Sequence, residues 1–255
     1  MCGLFGSSFT PGFISEAKRG LFMATLARIS TNRGKDSWGV CAFDNEINDD
    51  LAHRPIYLSR ETGSISESLH KTVEHLEMFG HTRNASSGNV TLKNAHPFEI
   101  GKIIGAHNGS VKNHKALCKK YSRDFSVDSM HLVAHLNENR DFSDIEGYGS
   151  LEWINLERRD RIFLIKMEGG QLSIFGLGEP PNDTKVIVWA SDEKHLLQAL
   201  YTSDIKNYFP FKLKDDQVYC VSGGKIFEVN KTLGFARKTT IAFPVSNNEI
   251  VDWGN

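Results

Sequence analysis

Hydrophobic positions along the chain fall into two periodicities. Short segments rich in β-branched and aromatic residues, or alternating apolar and polar, predict strands over 38–44, 55–60, 76–82, 102–107, 161–167, 171–177, 186–190, 217–221 and 225–230. Apolar residues at three- and four-residue spacing predict helices over 15–29, 66–74, 112–121, 128–139 and 192–201. In the last of these, Ser191-Asp192 supplies an N-cap before Leu196, Leu197 and Leu200. Two Gly-Gly turns read as hairpins. Glu168-Gly169-Gly170 is expected to join the strands over 161–167 and 171–177, and Ser222-Gly223-Gly224 the last two strands. Groups of strands with helices between them, lacking strict β-α alternation, predict an α+β fold of two antiparallel sheets flanked by helices rather than a doubly wound parallel sheet.

Composition narrows the picture. The 255 residues carry 30 Lys+Arg and 31 Asp+Glu, a formal net charge of -1, so nucleic acid is not expected as the main ligand. No apolar run is long enough to span a bilayer, and the N-terminus lacks the pattern of a secretory signal, so a cytoplasmic, membrane-free protein is expected. Repeats, low-complexity tracts and linkers are absent, and residues 1–255 read as a single domain. Cys2, Cys41, Cys118 and Cys220 lie far apart without a C-x-x-C pair, which argues against a disulfide framework or a zinc knuckle. His131 and His135 share a helix face, but with no H-E-x-x-H motif and no third ligand suggested they read as packing rather than a metal site. No cofactor is expected: there is no G-x-x-x-x-G-K-[ST] loop and no G-x-G-x-x-G motif.

Candidate chemistry concentrates at the second residue. Removal of Met1 would leave Cys2 with a thiol and a free α-amine. Such an amine has a reference pKa of about 7.7–8.0 and can accept the thiol proton, so nucleophile and base share one residue. Polar, glycine-rich segments at strand ends add complementary groups. Arg83 offers a planar fork for a carboxylate. The Asn108 side-chain amide and the Gly109 N–H could hold an oxyanion. Asp128 could receive an ammonium group, although its position alone also fits an ordinary helix N-cap. Arg and Asp at opposite ends of a pocket would suit a free amino acid. His81, His96 and His107 adjoin these segments, but with the α-amine available as base they are not needed for proton abstraction.

The ordered set Met1-Cys2-Gly3-Leu4-Phe5-Gly6, Arg33-Gly34-x-Asp36-Ser37-x-Gly39, His81-Thr82-Arg83, Ala95-His96-Pro97, His107-Asn108-Gly109, Asn113 and Asp128-Ser129 resembles the glutaminase domain of the class II glutamine amidotransferases, a branch of the N-terminal-nucleophile (Ntn) hydrolases. The resemblance reaches more weakly to Ala190-Ser191-Asp192 and so covers essentially the whole chain. It implies a four-layer αββα sandwich and hydrolysis of L-glutamine to glutamate and ammonia. Carried over, it makes Cys2 the nucleophile, its α-amine the base, and Asn108 and Gly109 the oxyanion hole. It gives Arg83 the substrate α-carboxylate and Asp128 the α-amine. Ser86 stands where the family often has a pocket-lining Thr, and His96 is placed with the substrate-binding residues. Arg33, Asp36, His81 and His107 are implied to support these groups from behind. Asn84 departs from the bulky residue common after the arginine, which puts pocket gating in question. Family members are commonly fused to a synthase, whereas this sequence reads as a glutaminase domain without one, implying an ammonia-accepting synthase supplied in trans. Oligomerisation stays open. Two alternatives remain at this stage: an Ntn amidase acting on γ-glutamyl or other amides, and a non-catalytic regulatory subunit.

Overall fold

A computed structural model describes residues 2–44, 55–65, 69, 74–179 and 183–234. Thirteen strands among them form two antiparallel sheets. In the first, β1 (Gly3–Phe9) lies between β10 (Asp183–Ala190) and β4 (Glu77–Arg83). It extends through β9 (Ser173–Glu179) to β11 (Tyr208–Phe211) on one side, and through β2 (Ser37–Phe43) to β3 (Tyr57–Thr62) on the other. The second sheet runs β13 (Lys225–Thr232), β12 (Gln217–Ser222), β8 (Arg158–Lys166), β7 (Gly147–Asn155), β6 (Ile103–Val111), β5 (Phe98–Ile100).

Period-two alternation explains the layering. In β10, Val186, Val188 and Ala190 join α1 (Glu16–Ser30) and α4 (Glu193–Thr202) in one core, while Ile187 and Trp189 enter a second core between the sheets. In β8, Ile162 and Leu164 face that inter-sheet core, while Phe163 and Ile165 meet a third core that includes Leu117 of α2 (His114–Tyr121) and Leu132 and Val133 of α3 (Met130–Asn137). Three cores separate four layers, helices–sheet–sheet–helices. Strands apolar on both faces are the consequence, since neither sheet turns a face to water. This is the expected αββα sandwich. No helix among the described residues is long and apolar enough to cross a membrane.

Buried polar links cross between the sheets. Trp189 Nε1 donates to the buried Glu152 Oε2 at 2.7 Å, and desolvation raises the Glu152 pKa well above the carboxylate range. Glu77 Oε1 accepts from Ser8 Oγ (2.9 Å) and from the Gly223 N–H (2.8 Å), tying the β12–β13 turn to β1 and β4.

The predicted strands and helices over described residues are present with small shifts at their ends. The expected helix over 66–74 lies outside the described residues apart from Leu69 and Glu74. The turn at 223–224 is the expected hairpin, with both glycines at positive φ (56° and 76°). The turn at 168–170 is a correction: β8 pairs with β7 and β12, β9 with β10 and β11, so this segment carries the chain from one sheet to the other. Four strands escape the sequence pattern: β1, β5, β7 and β11. Four of the seven β1 residues, Gly3, Gly6, Ser7 and Ser8, are small, and at Gly6 the strand is crowded. A Cβ on Gly6 would stand 2.2 Å from the Trp189 ring.

Candidate active site

Cys2 precedes the central strand of the first sheet. The register Gly3↔Thr82 places it beside the end of β4, where the main chain of Asn84 brackets its sulfur. The Asn84 N–H donates to Sγ at 3.4 Å, and the Sγ–H donates to the Asn84 carbonyl at 3.5 Å. Desolvation is the main influence on the thiol and raises its pKa. The Asn84 amide foremost opposes this, and the charges of Arg83 and Arg33 act in the same sense. A resting thiol of this kind needs a base to become a nucleophile.

Arg33, just after α1, fixes the main chain of Cys2. Its Nε donates to the Cys2 carbonyl at 2.7 Å, while Nη2 reaches Gln171 Oε1 at 2.6 Å and Nη1 lies 3.6 Å from Asp192. Asp36 Oδ2 accepts the Ala85 N–H at 2.7 Å, and the Asp36 N–H donates to the Arg83 carbonyl. Gly34 permits this approach, since a Cβ there would lie 2.3 Å from the Arg83 carbonyl carbon.

From the second sheet, β6 brings Asn108 and Gly109, with β1 packed against it. Asn108 Nδ2 donates to Ser191 Oγ at 2.9 Å, and the same oxygen accepts the Leu4 N–H at 3.0 Å. The Ser191 N–H in turn donates to the Leu4 carbonyl at 2.9 Å. One hydroxyl thus joins the two sheets two residues from the thiol. Gly109 sits where a Cβ would meet the Tyr148 carbonyl at 2.0 Å and His107 Nε2 at 2.5 Å.

Arg83 and Asp128 share one loop. The Arg83 guanidinium donates to the carbonyls of Ser87, Gly88 and Asn89. Burial lowers its pKa, opposed by Cys2, Asp36 and Asp128. Asp128 accepts from Ser87 Oγ at 3.0 Å and from the Val111 N–H at 2.7 Å. The loop hydroxyl on Asp128 is therefore that of Ser87, while Ser86 is exposed. Ser129, at the start of α3, bonds His107 Nδ1 at 2.9 Å.

The three histidines lie behind these groups. His96 stacks between His81 and Phe98, with centroids 4.0 and 4.2 Å apart. Burial foremost holds His81 down to about 3 and His107 to about 4, and pushes His96 well below its ordinary value, so all three rings are neutral at pH 7. His96 is enclosed on both faces and stands as a packing neighbour of the site. Sequence reasoning did not single out Ser87, Ser129, Gln171 or Ser191 as site groups. Hydroxyls and amides carry no local signature: Ser129 and Ser191 stood in recognised segments, Ser191 also as part of a helix cap, without a role of their own.

A family model for class-II glutamine amidotransferases matches residues 1–139. Among curated proteins, the glutamine--fructose-6-phosphate aminotransferase [isomerizing] of Vibrio vulnificus (strain YJ016) is 28% identical over 222 residues, 78% of this chain and 33% of that protein. The protein of the same name from Sulfurisphaera tokodaii is 30% identical over 208 residues, 71% of this chain and 32% of that protein. The chain spans about a third of the length of these relatives. Among solved structures, a glutamine phosphoribosylpyrophosphate amidotransferase from B. subtilis superposes with a TM-score of 0.60 at 16% identity, over 89% of this chain and 48% of that one. A structure described as the allosteric regulatory enzyme of purine biosynthesis gives 0.61 at 18% identity, over the same shares. At these identities the two structures speak for the fold.

Proposed function

The chain belongs to the class-II glutamine amidotransferases, and from that premise we propose that it hydrolyses the side-chain amide of L-glutamine to glutamate and ammonia at Cys2. Removal of Met1 frees the Cys2 α-amine, which takes the thiol proton. The thiolate attacks the carboxamide carbon and forms a tetrahedral oxyanion. The Asn108 amide and the Gly109 N–H stabilise that oxygen. One N–H of Asn108 is already held by Ser191, so the amide is aimed before substrate arrives. The proton carried by the α-amine passes to the departing nitrogen, and ammonia leaves behind a γ-glutamyl thioester. Water, deprotonated by the same amine, opens the thioester, returning the thiol and releasing glutamate.

Arg83 takes the substrate α-carboxylate and Asp128 its α-ammonium, each exchanging contacts with the 84–89 loop for contacts with the ligand. Ser86 lines the mouth of the pocket. Arg33 and Asp36 position the nucleophile and the loop, and His81, His96 and His107 support them as neutral packing groups. Ammonia is mostly protonated in neutral water and then a poor nucleophile, so we assign its delivery to a synthase acting as acceptor, in the cytosol where thiols stay reduced.

The observation that carries this reading is the bracketing of the Cys2 sulfur by Asn84, with Leu4, two residues on from Cys2, bonded to the Ser191 hydroxyl that holds Asn108. Its test is ammonia release from glutamine by protein whose Met1 loss is verified by intact mass. Cys2→Ala should abolish release, and a diazo-ketone glutamine analogue should add one label, at Cys2. Release that survives Cys2→Ala refutes the assignment.

A further inference from the structure

Helices α2 and α3, on the outer face of the second sheet, carry a cluster that glutamine hydrolysis does not use. His114 and Cys118 lie one turn apart on α2, and His131 in the first turn of α3 faces them. His131 Nε2 is 3.1 Å from His114 Nδ1 and 3.6 Å from Cys118 Sγ, and Cys118 Sγ is 3.9 Å from His114 Nδ1. Tetrahedral zinc, with bonds of about 2.05 Å to nitrogen and about 2.3 Å to sulfur, sets N···N at about 3.3 Å and N···S at about 3.6 Å. The three donors are thus already spaced as three corners around one point. His131 is buried, while His114 and Cys118 are half-buried, so the cluster is partly open to solvent.

We propose that this chain binds a divalent cation of the zinc class between α2 and α3, through His114 Nδ1, Cys118 Sγ and His131 Nε2, with solvent at the fourth position. One thiolate and two imidazoles favour zinc or cobalt over magnesium or calcium, which prefer oxygen. On binding, the Cys118 thiol releases its proton to solvent, and the ring proton of each histidine resides on the nitrogen that does not face the metal. For His131 that nitrogen is Nδ1, which lies 3.3 Å from Arg123 Nη1. Arg123 must give up that contact, and it keeps Glu138 at 2.6 Å and the Tyr121 ring face at 4.4 Å. A metal–thiolate pair retains positive charge beside this guanidinium, so the affinity is set below that of a closed four-ligand site.

The test uses the full metal-stripped chain carrying Cys2→Ala, so that the proposed nucleophile cannot supply sulfur. Cobalt(II) is titrated under reducing conditions while the sulfur-to-cobalt charge-transfer band and the tetrahedral visible bands are read. One equivalent should develop both, and zinc should bleach them. Cys118→Ser should lose the charge-transfer band, and His114→Ala should lose the tetrahedral visible bands. In the protein without substitutions, zinc should slow modification of Cys118 by a thiol reagent, a readout independent of the variants' folding. No charge-transfer band, a band that survives Cys118→Ser, or a Cys118 reactivity unchanged by zinc overturns the proposal. Glutaminase activity enters none of these readouts, so the site stands or falls apart from the reaction at Cys2.

Discussion

Ser191→Ala isolates the hydroxyl that links the nucleophile's strand to the proposed oxyanion hole. Ser191 is 6% exposed, and its oxygen accepts from Leu4 N at 3.0 Å and from Asn108 Nδ2 at 2.9 Å. Deleting it leaves the buried Leu4 N–H without that acceptor and the Asn108 amide free to rotate. An unsatisfied buried donor costs about 1–3 kcal/mol. Leu4 keeps its carbonyl bond to the Ser191 N–H, so the lower part of that range, about 1–2 kcal/mol, is expected. For a domain of this size that lowers Tm by roughly 2–8 °C. Removing one oxyanion donor outright costs about 10²–10³ in kcat, so loosening it should cost about 10- to 100-fold. KM for glutamine should stay within about threefold, because the proposed head-group ligands, Arg83 and Asp128, make their hydrogen bonds to the 87–89 loop and Val111 rather than to Ser191. Steady-state ammonia release with a thermal melt reads both quantities. A raised KM at unchanged kcat, or full activity alongside the loss of stability, would falsify the positioning role of Ser191.

Asp128→Asn keeps an oxygen for the Val111 N–H and removes the charge. KM for glutamine should rise about 10- to 100-fold, the worth of a charged hydrogen bond, with kcat little changed; an unaltered KM rejects Asp128 as the ammonium ligand. Acid should weaken the fold through the histidines. With folded-state values near 3 for His81 and 4 for His107, and His96 also well below its ordinary value, the unfolded chain binds more protons below pH about 6.5. Their contribution is intact above that pH and is lost as pH falls toward the folded values. Glu152, with a raised folded-state pKa, acts in the opposite sense, but it is one group against three. Urea midpoints should therefore fall between pH 7 and pH 5 by the equivalent of at least about 2 kcal/mol, and a flat profile contradicts neutral burial of these rings. Glu152→Gln should leave stability at pH 7 unchanged or raise it by up to about 3 kcal/mol, because the amide keeps the acceptor for Trp189 Nε1 and removes the cost of protonating, on folding, a carboxylate that is ionised in the unfolded chain. A loss above about 3 kcal/mol in urea melts would mean that the group is ionised and paired.

What the sequence determined is whatever depends on neighbours along the chain. Alternation in 186–190 and 217–221, the helical spacing of Leu196 and Leu200, the Asp192 cap and the glycine pair at 223–224 are local, and the structure carries them as expected. The segments at Cys2, Arg33, Arg83 and Asn108 were legible because unusual chemistry gathers in short, glycine-bearing stretches. Tertiary structure decided the rest. The glycines at 169–170 and those at 223–224 look alike as turns, yet one pair links two sheets and the other closes a hairpin, because sheet membership is set by distant partners. β1 was illegible because its small residues answer to distant partners, Gly6 to the Trp189 ring 183 positions beyond it and Gly3 to Thr82, and not to any local preference. Ser191, Ser87 and the donors at His114, Cys118 and His131 gain their roles from contacts across the fold. A hydroxyl, thiol or imidazole is defined chemically by what stands within about 4 Å of it, and chain folding alone sets that distance.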